Sequence, residues 1–236
     1  MARGKTLLKL LDDLRVELKL SLNPAHNNQV RDSHVRVLQT TYEWLWHDFN
    51  WPHLRIERSI PVQAGQRIYE EPEGLPLERI EKIEFRDGDI WCPLVPGIDS
   101  CQYNIWDSDL DQRSWPVVRW RIWEDEQIEI WPIPVDDGDA ATLNGYLKFT
   151  GIRAFTQIVN DADRADLDCT LIVKYAAANL LDDDKKAQRK LSEAADRYAR
   201  LRGELMPRKR FRMFGSAGDE HRRLRGPPRV YYRTTP

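Results

Sequence analysis

Cysteine is scarce in this chain: Cys92, Cys101 and Cys169 are the only three in 236 residues. An odd, sparse set excludes a disulfide scaffold and fits a reducing compartment. Long apolar runs are missing as well, and nothing approaches the roughly 18 residues of a membrane helix. The opening stretch MARGKTLLKLLDDLRVELK carries acids among its leucines and lacks a small-residue cleavage site, so it reads as an amphipathic helix and not as a secretory signal. Net charge is nearly absent too. The balance of 36 Lys+Arg against 38 Asp+Glu gives −2, which excludes a wholly basic nucleic-acid binder.

Catalytic signatures are equally thin. The chain has no Walker-type phosphate loop and no GxGxxG, so no nucleotide cofactor is expected. The five histidines form neither HxxxH nor HExxH, and no CxxC occurs, so no metal site is expected. Gly215-Ser216-Ala217-Gly218 lacks the strand-to-helix context of a nucleophile elbow and reads as a flexible joint. Acidic residues are numerous enough that carboxylate pairs arise by chance, and none carries a local signature. The expectation is a non-enzyme with no catalytic residue and no cofactor.

What the chain does have is an uneven charge map and many aromatics. Residues 70–140 hold 19 acids and 6 bases, whereas residues 203–236 hold 9 bases and 3 acids. An acidic middle and a basic end on one chain imply polar partners. Nine tryptophans point to core and interface packing more than to a stacking platform for sugars or bases.

Periodicity divides the chain. Leu7, Leu10, Leu11, Leu14 and Leu18 recur at helical spacing over 5–20, and Asn23-Pro24 closes that helix. A second helix is predicted over about 28–49, with Val30, Val37, Leu38, Thr41, Leu45 and Phe49 on its apolar face; Trp51-Pro52 forces the chain out. From 54 to about 150 the period is two. RIERSIPV, ERIEKIEF, SWPVVRWRIW, EQIEIWPIP and TLNGYLKFT read as strands, with Asp87-Gly88 and Asp137-Gly138 as turns. Prolines 61, 72, 76, 93, 96, 116, 132 and 134 limit strand length. About six strands are expected. Asp166 or Asp168 can cap a helix running to about 181. Asp182-Asp183-Asp184 opens another, packing through Leu191, Ala194, Ala195, Tyr198 and Leu201 and ending at Gly203.

The expected class is therefore α+β: a helical bundle from segments 1–53 and 160–203, an inserted acidic antiparallel β domain over 54–159, and an extended basic C-terminal arm over 204–236. In the arm, Arg208, Lys209, Arg210, Arg212, Arg222, Arg223, Arg225, Arg229 and Arg233 are interleaved with Phe211, Phe214, Tyr231 and Tyr232. Such a segment has no periodic apolar face of its own and is expected to order against a partner. Nucleic acid is one candidate, through counterion release and stacking; an acidic, grooved protein surface is the other.

Three passages resemble one family. They are YEWLWHDFNWPHL leading into strands, IEIWPIP followed by GYLKFTG, and DLDCTLIVKYAAANLLDDDKKAQRKLSEAADRYARL. In this order and spacing they resemble the head-to-tail adaptor proteins of tailed bacteriophages, also called tail tubular protein A or tail accessory factor, over about residues 1–205. The resemblance implies a structural virion protein at the head–tail junction, made in the host cytoplasm. It implies a homo-oligomeric ring of twelve subunits beneath the phage portal protein, extending the DNA channel. Double-stranded DNA would pass through without sequence-specific binding, and the next tail component (nozzle, stopper or tail tube) would attach below. No membrane is involved. The arm would dock on the portal, and the acidic region around Glu124, Asp125 and Glu126 would face the tail or the channel. Strong acidity over 70–140 and the tryptophan count depart from the family pattern. The alternative is a nucleic-acid-binding or packaging module that uses the basic arm.

Overall fold

The computed structural model describes residues 3–23 and 28–205. The chain folds as an α+β protein with two hydrophobic cores, one helical and one between two sheets.

Helix α1 (Leu7–Glu17) is capped by Thr6, whose Oγ1 accepts from the Lys9 N–H, and it buries Leu7, Leu10, Leu11 and Leu14. A short 3-10 turn at Asn28–Val30 leads into α2 (Arg31–Asp48), which buries Leu38, Thr41, Tyr42, Leu45 and Trp46; Val30, expected on the apolar face, is exposed. The aromatic-rich exit folds back on the helix. Trp51 is buried, and its indole N–H donates to the Leu45 carbonyl at 2.9 Å. The third helix, α3 (Ser100–Tyr103), is a single turn within the β part. Helix α4 (Cys169–Leu180) is the apolar centre of the helical part, packing against α1, α2 and α5 (Asp184–Leu205). Of the expected packing residues of α5, Ala194, Tyr198 and Leu201 are buried, whereas Leu191 and Ala195 are exposed. The helix also runs two residues past Gly203, the expected terminator, because an exposed helical glycine weakens a helix without clashing with anything.

The β part contains eight strands: β1 (Arg55–Pro61), β2 (Ile68–Tyr69), β3 (Ile80–Asp87), β4 (Ile90–Pro93), β5 (Val95–Pro96), β6 (Arg119–Trp123), β7 (Gln127–Trp131) and β8 (Tyr146–Ile152). Five of them are the passages that the two-residue period picks out; of the other three, β2 and β5 have only two residues and β4 four, too short to show a period. One sheet has the order β1-β8-β3-β4 and is antiparallel throughout; the other has the order β2-β7-β6-β5, with only the short β5–β6 pairing parallel. Proline sets the strand ends: β1, β4 and β5 stop on one, and β7 stops before Pro132. The β3–β4 turn is Gly88-Asp89, one residue on from the expected Asp87-Gly88 because Asp87 still pairs with Ile90, and Gly88 is in the left-handed region at φ 59°.

The sheets pack face to face. Ile83, Phe85, Leu147 and Phe149 from the first meet Tyr69, Ile128 and Ile130 from the second. Around β6 the expected alternation has an unexpected outcome. Trp120 packs against this core, but Val118 and Ile122, in phase with it, are 40% and 56% exposed. The helical and β parts join through Leu54 and Ile152, which enter the helical core. Arg79 donates to the Trp46 carbonyl at the C-terminal end of α2 (2.8 Å), and Arg153 pairs with Asp166 while lying over the Trp46 ring.

Two histidines sit in this joined framework. His34 is 7% exposed, and burial followed by the Arg15 charge pushes its imidazole below the ordinary histidine value. His53 is lowered as well, first by burial and then by Arg3. A depressed histidine pKa means the unfolded chain takes the proton more readily. Stability is therefore complete above the unfolded pKa near 6.5 and declines as pH falls from there toward the folded value. Urea midpoints should drop between pH 7 and 5.5, and the drop should shrink in His34→Gln. An equal slope in that variant contradicts the assignment.

Candidate protein-interaction sites

Two surfaces bring together side chains that the folding of each core does not require. The first is the free end of the β6–β7 hairpin. The ladder pairs Trp123 with Gln127, so Glu124, Asp125 and Glu126 form the tip, all exposed. Asp125 and Glu126 both have left-handed φ values, 54° and 59°. Three carboxylates thus project from one tight turn, and the acidic residues singled out in the sequence do share one place.

Beneath the tip lies a charged cluster that sequence reasoning missed. The same ladder sets Arg121 opposite Glu129. Glu129 has no exposed surface, and its carboxylate receives the Arg121 Nε at 2.5 Å and the Tyr103 hydroxyl at 3.3 Å. Tyr103 comes from α3, in an excursion between β5 and β6 that crosses the outer face of the second sheet. Arg121 also donates to the Tyr103 oxygen at 2.7 Å and lies 4.5 Å from the centre of the Trp123 ring. Arg67 stands 4.0 Å from Glu129 and pairs with Asp109 at 2.8 Å; that hydrogen bond holds its guanidinium above the ordinary value. Burial first, and Glu129 second, push the Tyr103 phenol up. Each buried charge has an opposite partner, so the cluster holds the excursion and the hairpin stem rigid beneath the acidic tip. The legible signal was the hairpin register; Ile128 and Ile130 facing the core force Glu129 to the other face.

The second surface is a groove on the helical part, of about 690 Å³. Arg36, Val37, Thr40, Thr41 and Trp44 of α2, Tyr175 and Asn179 of α4, and Leu191 of α5 line it. Trp44 and Leu191 are each 48% exposed, and the Trp44 and Tyr175 rings meet edge-on with centroids 5.2 Å apart. A tryptophan and a leucine half-open to water beside a concave apolar wall are features of protein-recognition sites. Tyr198, further along α5, is buried in the helical core, and its hydroxyl donates to Asp48.

The arm residues Arg208, Lys209, Arg210, Phe211, Arg212, Phe214, Arg222, Arg223, Arg225, Arg229, Tyr231, Tyr232 and Arg233 lie outside the described residues. Among the described residues no group of three His, Cys, Asp or Glu side chains is arranged to hold a metal, and no helix is long and apolar enough to cross a membrane. Cys92, Cys101 and Cys169 are free thiols. No protein-family model matches the chain, and no curated protein matches its sequence.

Proposed function

We propose that the chain is a structural head-to-tail adaptor of a tailed bacteriophage, a ring subunit that docks on the portal through its basic arm and offers its acidic hairpin to the tail or the channel. The observation that carries this reading is the order of three passages: the aromatic Trp-Pro exit of α2, the β7–β8 segment IEIWPIP to GYLKFTG, and the α4–α5 pair with its acidic turn. Two further features support it. The terminal helices share one core around α4 while the β block between them in sequence has its own. The acidic tip and the basic arm are separate segments of the chain, as a connector between two different partners requires.

Portal binding by the full chain tests the reading. Deleting 206–236 should leave a soluble protein that no longer joins portal rings. Phe211→Ala with Phe214→Ala should weaken docking more than Arg222→Ala with Arg223→Ala, because each buried aromatic contributes about 1.5–3 kcal/mol and each exposed arginine pair about 0–1. Reversing Glu124, Asp125 and Glu126 to lysine should leave portal docking intact and impair tail attachment or DNA passage. Normal docking by the truncated protein refutes the assignment. Tight duplex-DNA binding by the arm at physiological salt, with no affinity for portal, replaces it with the nucleic-acid reading.

A further inference from the structure

We infer that the groove between α2, α4 and α5 is the seat of this chain's own arm, with Phe211 and Phe214 as its occupants when no other partner holds them. The inference rests on the groove and not on the adaptor reading. It concerns a contact within one chain, whichever partner the arm meets later.

The first support is reach. The described part of α5 runs to Leu205, and 31 residues follow it. At about 1.5 Å per residue, Tyr198 lies about 10 Å and Leu191 about 21 Å back along α5 from Leu205. The Asp48–Tyr198 bond sets the end of α2 level with Tyr198, so Trp44, one turn earlier on α2, stands about 16 Å back. An extended chain covers at most about 3.3–3.6 Å per residue. A segment that turns back at Leu205 and runs along α5 therefore brings position 208 level with Asp48. The six residues to Phe211 span about 20 Å when extended, enough to reach Trp44. The nine to Phe214 span about 30 Å, enough to reach Leu191 with length to spare for the turn.

The second support is chemical fit. The two phenylalanines meet the two most exposed apolar side chains of the groove. The bases between Leu205 and Phe211 meet the carboxylates of Asp48 and of Glu43 beside Trp44, both exposed. Two positive charges oppose them: Arg36 lies at the far end, outside the stretch that residues 208–210 would cross, whereas Arg202, over the Phe49 and Tyr198 rings, stands where that stretch begins.

Photo-cross-linking of the full chain tests this. With p-benzoylphenylalanine in place of Phe214, irradiation should yield a product of monomer mass, in unchanged proportion on fifty-fold dilution. Peptide mapping should put the bond on segments carrying Trp44, Tyr175 or Leu191. Leu191→Glu, a half-exposed position that leaves the core intact, should cut that product at least tenfold while the circular dichroism spectrum stays the same. Cross-links joining two copies overturn the inference in favour of a second molecule as donor. Cross-links elsewhere on the chain, no intramolecular product, or insensitivity to Leu191→Glu overturn it outright. Loss of portal binding with the intramolecular product retained counts only against the adaptor reading.

Discussion

Replacing Asp168 with alanine is expected to remove about 3 kcal/mol of stability, because one buried carboxylate performs two tasks. It caps α4, accepting the Leu171 N–H at 3.0 Å, and it receives Arg197 of α5 in a two-pronged pair at 2.9 and 2.7 Å. The side chain is 1% exposed, so its lost partners are not replaced by water. Loss of an N-cap costs about 0.5–2 kcal/mol. Charged hydrogen bonds are worth about 1.5–3 kcal/mol, taken here at the lower end since the Arg197 side chain is 36% exposed and can regain hydration. Asp168→Asn keeps the cap and loses the charge pairing, so it should retain about half of the lost stability. Urea denaturation of the three proteins gives the ranking. A loss in Asp168→Ala no larger than that of an ordinary surface substitution, about 0.5 kcal/mol, would sink the account.

That position shows what the sequence made legible. Asp166 and Asp168 both stood where a cap was needed, and only geometry selects between them: Asp168 faces the Leu171 N–H, while Asp166 pairs with Arg153. Helix faces rich in leucine, such as α1, were readable because 3.6-residue periodicity and burial coincide. Leu191 has the same periodicity and yet lines a groove, since periodicity reports which side of a helix is apolar and not whether a neighbour covers it. Likewise Val118, Trp120 and Ile122 alternate in phase along β6 and its approach, but two of them stay open to water, since alternation reports which side of a strand is apolar and not what covers it. The three acids were legible as an acidic region only; that they form the turn of a hairpin follows from the Trp123–Gln127 pairing, which takes Glu126 out of the strand expected to contain it. The cluster beneath it was not, because Tyr103 and Asp109 arrive from an excursion without period, and their approach to Glu129 is set by tertiary packing alone.

Glu129 is the other position from which a large effect is expected. Alanine there should cost about 3 kcal/mol and loosen the segment between β5 and β6 more than the rest of the molecule. Removing one partner of a buried pair typically costs about 3–5 kcal/mol, since the remaining charge is left uncompensated. Here the survivors, Arg121 and Arg67, keep 29% and 26% of their side-chain surface in water, which places the expectation at the lower end. Tyr103 would also lose its acceptor, and with it one of the anchors of the excursion; the Trp131 indole N–H donating to the Trp106 carbonyl at 3.0 Å and the Arg67–Asp109 pair at 2.8 Å would remain. Glu129→Gln preserves shape and one acceptor oxygen, so it should cost about half as much. Hydrogen exchange read by mass spectrometry should then show faster exchange across residues 99–113 in Glu129→Ala, with α1 and α4 unchanged. If exchange rises equally in the helical core, the cluster supports the whole fold and not this excursion. If stability falls by no more than the roughly 0.5 kcal/mol of a neutral surface change, the buried pairing does not hold the excursion at all.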